Sequence, residues 1–219
     1  MPTDKSLFFY GPIYHRLFDP QLAEGREVAA GLIPEGSSVL DIGCGTGLLS
    51  IALREQKRCR VTGVDLSLRM LEFARNANPY PDVTFVHGDA TDLSGFGDHS
   101  FDYAAMLFLV HELPMPQQAL VLKEALRVAN RVIIIDAVTP LPTNIGGIAI
   151  RVVEATFGHD HDPNFRAFLA TGGIGGIIHR LDMPVSVEHS SVFWRKCREA
   201  VVVSKPRQVA ITRGKDPNH

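Results

Sequence analysis

From about residue 36 onward, short apolar runs alternate with stretches in which apolar residues recur every third or fourth position. The first pattern reads as buried strand, the second as amphipathic helix. Val39 to Ile42 is a strand, followed by a helix over Thr46 to Gln56 with its stripe at Leu49, Ala52 and Leu53. Val61 to Asp65 is a second strand. Ser67 is placed to cap a helix through Met70, Leu71 and Ala74 that stops before Pro79. Val83 to His87, Phe101 to Val110 and Val132 to Asp136 are further strands, and residues 117–129 a helix. The run Phe101 to Val110 is apolar on both alternations, as a central parallel strand covered on two faces requires.

Two regions flank this core. Residues 8–32 read as helix in two pieces, broken near Asp19-Pro20, and residues 143–181 as helices interrupted at Gly172-Gly173 and Gly175-Gly176. Pro184 to His189 and Ala200 to Ser204 add two strands, with Trp194 in the loop between them, and the polar tail from about Arg207 is expected to fray. The order predicts an α/β fold: a Rossmann-like, doubly wound, mostly parallel seven-stranded sheet with helices on both faces and helical lid additions. One domain over 1–219 is expected, with a core at about 36–138.

Composition narrows the function classes. The chain has 219 residues, 45% of them apolar, and a formal net charge of −2. That balance argues against polyanions as constitutive partners, though not against a local basic patch, so no nucleic-acid partner is expected. The three cysteines, Cys44, Cys59 and Cys197, lie far apart and form no CxxC pair, which fits a reducing compartment and offers no zinc spacing. The opening MPTDKSLFFYGP lacks the basic flank and long apolar stretch of an export signal, and YAAMLFLV at 103–110 is too short to span a bilayer. A cytoplasmic location is the resulting expectation.

The most informative stretch is VLDIGCGTG, Val39 to Gly47. A strand runs directly into Gly43, Gly45 and Gly47 before a helix begins, the place where doubly wound sheets bind ligands. The spacing is G-x-G-x-G, with Leu48 where a third glycine would complete the dinucleotide fingerprint. That weakens a pyrophosphate-bearing ligand and favours a mononucleoside. Asp65, ending the second strand in VTGVDLS, can accept from both hydroxyls of a ribose. His87-Gly88-Asp89-Ala90 follows the third strand, where Asp89 can accept from an exocyclic amine and the Ala90 N–H can face a ring nitrogen.

Together these three motifs resemble the class I S-adenosylmethionine-dependent methyltransferases, over about Ser38 to Val138. The flanks are more weakly similar to the small-molecule enzymes related to the quinone and sterol methyltransferases. The resemblance implies S-adenosyl-L-methionine as cofactor, S-adenosyl-L-homocysteine as product and a small-molecule methyl acceptor. By position, Asp41 and Gly43, Cys44, Gly45 and Gly47 would cradle the methionyl part. Asp65 would hold the ribose, Leu66 and Met70 would pack on adenine, and Asp89 with Ala90 would read its edge. Many relatives carry a Lys-Pro-Gly-Gly turn before the fifth strand; here RVANRVIII is shortened around Asn130.

Methyl transfer from a sulfonium is an in-line displacement dominated by alignment, and a base is needed only if the acceptor must lose a proton. His111, in FLVHELP after the fourth strand, is the catalytic candidate, because a histidine at its ordinary pKa moves protons near neutrality. Phe108 and Glu112 beside it, Tyr10 and Tyr14 in the N-terminal segment, and His161 and Arg166 are acceptor-side candidates. GHDHDPNF at 158–165 invites a metal through His159, Asp160, His161 and Asp162, but Asp162-Pro163 reads better as an N-cap followed by proline at the first helical position, and no metal is expected. Asn78-Pro79-Tyr80-Pro81 precedes the third strand, out of place for the amino-methylating box it mimics, and TGGIGG at 171–176 follows no strand. Two rival readings stand beside the enzyme: a non-catalytic S-adenosylmethionine-binding regulatory protein and a nicotinamide-dependent oxidoreductase. The acceptor atom (O, N, C or S) and the oligomeric state stay open.

Overall fold

The computed structural model describes residues 22–156 and 161–206. In chain order the elements are α1 (Ala23–Leu32), β1 (Ser38–Ile42), α2 (Leu48–Lys57), β2 (Arg60–Asp65), α3 (Leu68–Ala77), β3 (Thr84–His87), β4 (Phe101–Leu107), a 3-10 turn (Val110–Glu112), α4 (Met115–Val128), β5 (Ala129–Ala137), α5 (Ile145–Thr156), α6 (His161–Ala170), α7 (Gly173–His179), β6 (Ser186–Phe193) and β7 (Arg198–Ser204). The strands form one seven-stranded sheet in the order β3-β2-β1-β4-β5-β7-β6. Every pair from β3 to β5 is parallel, whereas β7 runs antiparallel to both β5 and β6.

Alternation along the strands sorts the core into two layers. Val39, Val61, Tyr103, Ala105, Ile133 and Ile135 face α1, α2 and α3 through Ala29, Leu53 and Leu71. Leu40, Ile42, Ala104, Met106, Val132 and Ile134 face the other way, onto α4, α6 and α7 through Leu122, Phe168 and Ile177. Because β4 and β5 are covered on both faces, their runs carry no polar alternation. The Ser67 hydroxyl accepts from the Met70 N–H, the cap expected for α3.

Several boundaries differ from the sequence reading. The fourth strand stops at Leu107, because Phe108 turns into the left-handed region at φ 55° and Val110 opens the 3-10 turn. Asp162-Pro163 lies inside the first turn of α6, which starts at His161, two residues before the start expected at Pro163. Gly172, at φ 92°, separates α6 from α7, but Gly175 and Gly176 sit within α7 instead of breaking it. The shortened turn before the fifth strand is the limiting case: Val128 ends α4 and Ala129 begins β5 directly. The Asn78 side chain donates to Tyr80 O and Val83 O and accepts from the Tyr80 N–H, a local turn as expected for that stretch.

Candidate active site

Strand order reverses between β1 and β4, and the loop Gly43–Gly47 leaves β1 at that point. Its backbone is left-handed at each glycine, φ 70°, 52° and 79°. Gly47 is required twice over: besides its φ, a Cβ there would lie 2.7 Å from the Phe85 ring and 2.9 Å from Ala74. At Gly45 a Cβ would meet nothing within 4 Å, so the loop opens to free space at its apex. The loop's amides are already directed inward. Gly43 N and Cys44 N donate to Val64 O at 2.8 and 3.1 Å, and Gly45 N donates to Asp65 Oδ2 at 2.8 Å.

Acids ring this loop. Asp65 is half-buried, and its Oδ1 accepts from the Ser67 N–H at 2.8 Å. Burial raises its pKa against those two amide bonds, and the charge of Glu112 adds to the rise. Asp41, 3% exposed, accepts from the Ser50 hydroxyl at 2.7 Å. Burial pushes its carboxyl up to about 7, with Ser50 opposing and Asp65 reinforcing. Leu66 is 52% exposed beside them, whereas Met70 is buried. Asp89 is exposed, its Oδ1 accepting from both the amide and the hydroxyl of Thr91, and Ala90 is half-buried. Cys44 is buried; burial, with Asp41 and Asp65 nearby, pushes its thiol upward, so it packs as an uncharged side chain.

Across the switch point the side chains are charged and buried. A Cβ on Gly43 would lie 2.9 Å from Leu109, which places the turn after β4 against the glycine loop. In that turn His111 is buried, with Nδ1 2.7 Å from Asp136 Oδ1 and Nε2 3.7 Å from Glu154 Oε2. Asp136, at the end of β5, also accepts from the His111 and Ala137 amides. Phe165 and Phe168 of α6 close over the imidazole, ring centroids 5.5 and 6.3 Å away. Burial disfavours the imidazolium, but Asp136, then Glu154 and Glu112, outweigh it and lift His111 to about 9. The expected histidine of ordinary pKa is therefore a cation at neutral pH. Beside it Arg198 lies between Phe108 and Trp194, 4.6 and 4.5 Å from the ring centroids. The β6–β7 turn delivers Trp194 through three successive left-handed residues, Trp194, Arg195 and Lys196.

Residues 39–131 match the family described as a methyltransferase domain. The chain is 36% identical over 135 residues to the O-methyltransferase cnsE of Penicillium expansum, a match covering 59% of this chain and 49% of that protein. It is 35% identical over 101 residues to the demethylmenaquinone methyltransferase of Bacillus licheniformis, covering 45% of this chain and 42% of that one. Residues 39–131 of this chain are thus similar to a methyltransferase domain. The chain spans about half or less of the length of the curated relatives it matches. Among solved structures, the PH0226 protein of Pyrococcus horikoshii OT3 superposes with a TM-score of 0.65 at 19% identity, covering 88% of this chain and 98% of that one, a likeness of fold.

The fold thus brings Asp41, Gly43, Cys44, Gly45, Gly47, Asp65, Leu66, Asp89 and Ala90 to the carboxyl edge of β1, β2 and β3, with Met70 buried. His111, Phe108 and Glu112 come together after β4; Phe108 also fills the space that Gly25 leaves, where a Cβ would lie 2.9 Å from its ring. Asn164 Nδ2 donates to Glu112 O at 2.7 Å and ties α6 to this turn. Arg166 is exposed on α6. Tyr10, Tyr14, His159, Asp160 and the tail from Arg207 lie outside the described residues, and His161 is placed only as the first residue of α6. Among the described residues no group of three His, Cys, Asp or Glu is arranged to hold a metal, and no helix is long and apolar enough to cross a membrane.

Four participants escaped the sequence reading: Asp136, Glu154, Phe168 and Arg198. Asp136 carried a usable signal, a lone acid closing the apolar run VIII at 132–135. Glu154 carried a similar one, the one acid of a mostly apolar helix whose other charged residue is Arg151. Arg198 carried none, because only the antiparallel pairing of β7 sets it opposite Ala137 at the end of β5.

Proposed function

We propose that this chain is an S-adenosylmethionine-dependent methyltransferase acting on a small-molecule acceptor. The observation that carries the reading is the Gly45 N–H bond to Asp65. A pyrophosphate needs free loop amides and a positive surround. Here the amides of Gly43, Cys44 and Gly45 are engaged by Val64 O and Asp65, and Asp41, Asp65 and Glu112 surround the loop with carboxylates. A nucleoside bearing a sulfonium and an ammonium suits that field, and a nicotinamide dinucleotide does not.

In this reading Asp65 keeps its two amide bonds and uses its remaining lone pairs for the ribose hydroxyls, since a carboxylate offers about four acceptor sites. Leu66 covers one face of adenine, while Asp89 and the Ala90 amide read its edge. The open space at Gly45, with Asp41 behind the loop, takes the methionyl end. When bound, the cofactor supplies an electrophilic methyl on sulfur. The chain's own work is alignment and charge. His111 is held by Asp136 as an imidazolium, so it acts by pairing with an acceptor bound in its anionic form, not by removing a proton. Phe165 and Phe168 exclude water from that pair.

The burial of His111 beneath α6 favours one second reading, a protein that binds the cofactor without admitting an acceptor. Calorimetric titration with S-adenosylhomocysteine and with NADH tests the first proposal; binding of the former alone is expected, and binding of NADH alone overturns it. Methyl transfer to any member of a small-molecule panel removes the second.

A further inference from the structure

The two carboxylates facing His111 differ in kind. Asp136 belongs to the central strand β5, is fully buried, and is fixed by the Ala137 amide as well as by the His111 ring and amide. Glu154 belongs to α5, in the layer added beyond the sheet, and its side chain is 13% exposed. Its Oε2 lies 3.7 Å from His111 Nε2, an ionic contact beyond hydrogen-bond range. Nδ1 is engaged by Asp136, and Nε2 is the ring nitrogen that faces Glu154. A largely buried carboxylate is costly unless cations face it; His111 is one, and Arg198 also feels the charge of Glu154. The contact therefore sets a displaceable anionic oxygen against the imidazolium, next to the turn that packs on the glycine loop.

We propose that Glu154 is a place-holder: its carboxylate occupies, at His111 Nε2, the position taken by the reacting oxygen of the acceptor, which makes the acceptor an acidic hydroxyl of the phenol or enol class. This deepens the methyltransferase reading and rests on it. In the exchange the hydroxyl proton passes to the Glu154 carboxylate, which leaves as the neutral acid toward its solvent side and releases that proton to water. The oxyanion pairs with the imidazolium N–H. One of its lone pairs then forms the O–C bond to the methyl carbon of the sulfonium donor. The C–S bond breaks with its electrons going to sulfur, so the products are a methyl ether and a neutral thioether. A protonated amine is repelled from the same position.

The test uses the full chain and 4-nitrophenol, coloured only when ionised, at a pH where the free probe is mostly neutral. Wild type is expected to bind it as the coloured phenolate. Glu154→Gln keeps the shape but removes the competing charge, and should bind it about fivefold tighter. His111→Gln should lose the phenolate colour. Equal or weaker binding by both Glu154→Gln and Glu154→Ala, uptake of the neutral phenol, or no uptake by wild type and Glu154→Gln alike overturns the proposal. Each titration is run with and without S-adenosylhomocysteine. Absence of any calorimetric signal from S-adenosylhomocysteine alone would then count against the cofactor reading, while the phenolate pairing is judged on its own.

Discussion

The two halves of the carboxyl edge are made of different material. On the β1–β2–β3 side the working parts are backbone: three left-handed glycines, inward-turned amides, and acids that hold those amides. On the β4–β5–β7 side they are side chains: a histidine, two carboxylates, an arginine and a cage of aromatic rings drawn from five segments. A site made of main chain tolerates little change, because its shape is set by φ and by the absence of Cβ atoms. One made of side chains can be rebuilt without disturbing the sheet. The first half therefore suits an invariant cofactor, and the second a variable acceptor.

If this division is right, variants on one side should leave the other side's ligand alone. Gly47→Val is expected to do most. Its side chain meets Phe85 and Ala74 from a left-handed backbone, and S-adenosylhomocysteine affinity should fall by more than about 100-fold. Near-normal calorimetric affinity would show that the loop's conformation does not matter. Next, His111→Gln should lower turnover about 100-fold, as loss of a charge-stabilising donor does, with unchanged S-adenosylhomocysteine affinity. Parallel loss of both would merge the halves.

The same residue gives a pH signature. Its folded pKa of about 9 lies above the ordinary 6.5, so its contribution to stability is complete below about 6.5 and fades as pH rises through about 9. Denaturant melts should show wild type and His111→Gln converging between pH 6 and pH 10. Asp65→Ala, on the cofactor side, should weaken S-adenosylhomocysteine by more than about tenfold, since two amides and the ribose lose their acceptor.

Asp41→Asn should have the smallest effect, and of opposite sign in stability. Asp41 is raised from 3.8 to about 7, so its folded state resists ionisation and stability is lost as pH climbs through that window. The variant should be more stable than wild type at pH 8 and no more stable at pH 4. Equal melts at pH 8 would mean that the Ser50 hydroxyl fully offsets the burial.

The parallel core was legible in the chain because its causes are local. Val132–Ile135 is apolar on both alternations, Val39–Ile42 is apolar but for Asp41, Ser67 caps the helix that begins at Leu68, and glycines at 43, 45 and 47 suit a left-handed loop. The backbone of the loop after β1 was legible for the same reason, its three glycines lying within a few residues of the strand end. His111 was visible as a candidate, yet its charge state was not. That depends on Asp136 and Glu154, which lie 25 and 43 residues further along the chain (136 − 111 and 154 − 111) and reach it only when β5 pairs with β4 and α5 folds over. Spacing along a chain can specify backbone geometry, because φ and periodicity are properties of neighbours. Electrostatics inside a protein depends on which distant groups share a dry space, and only the folded chain determines that.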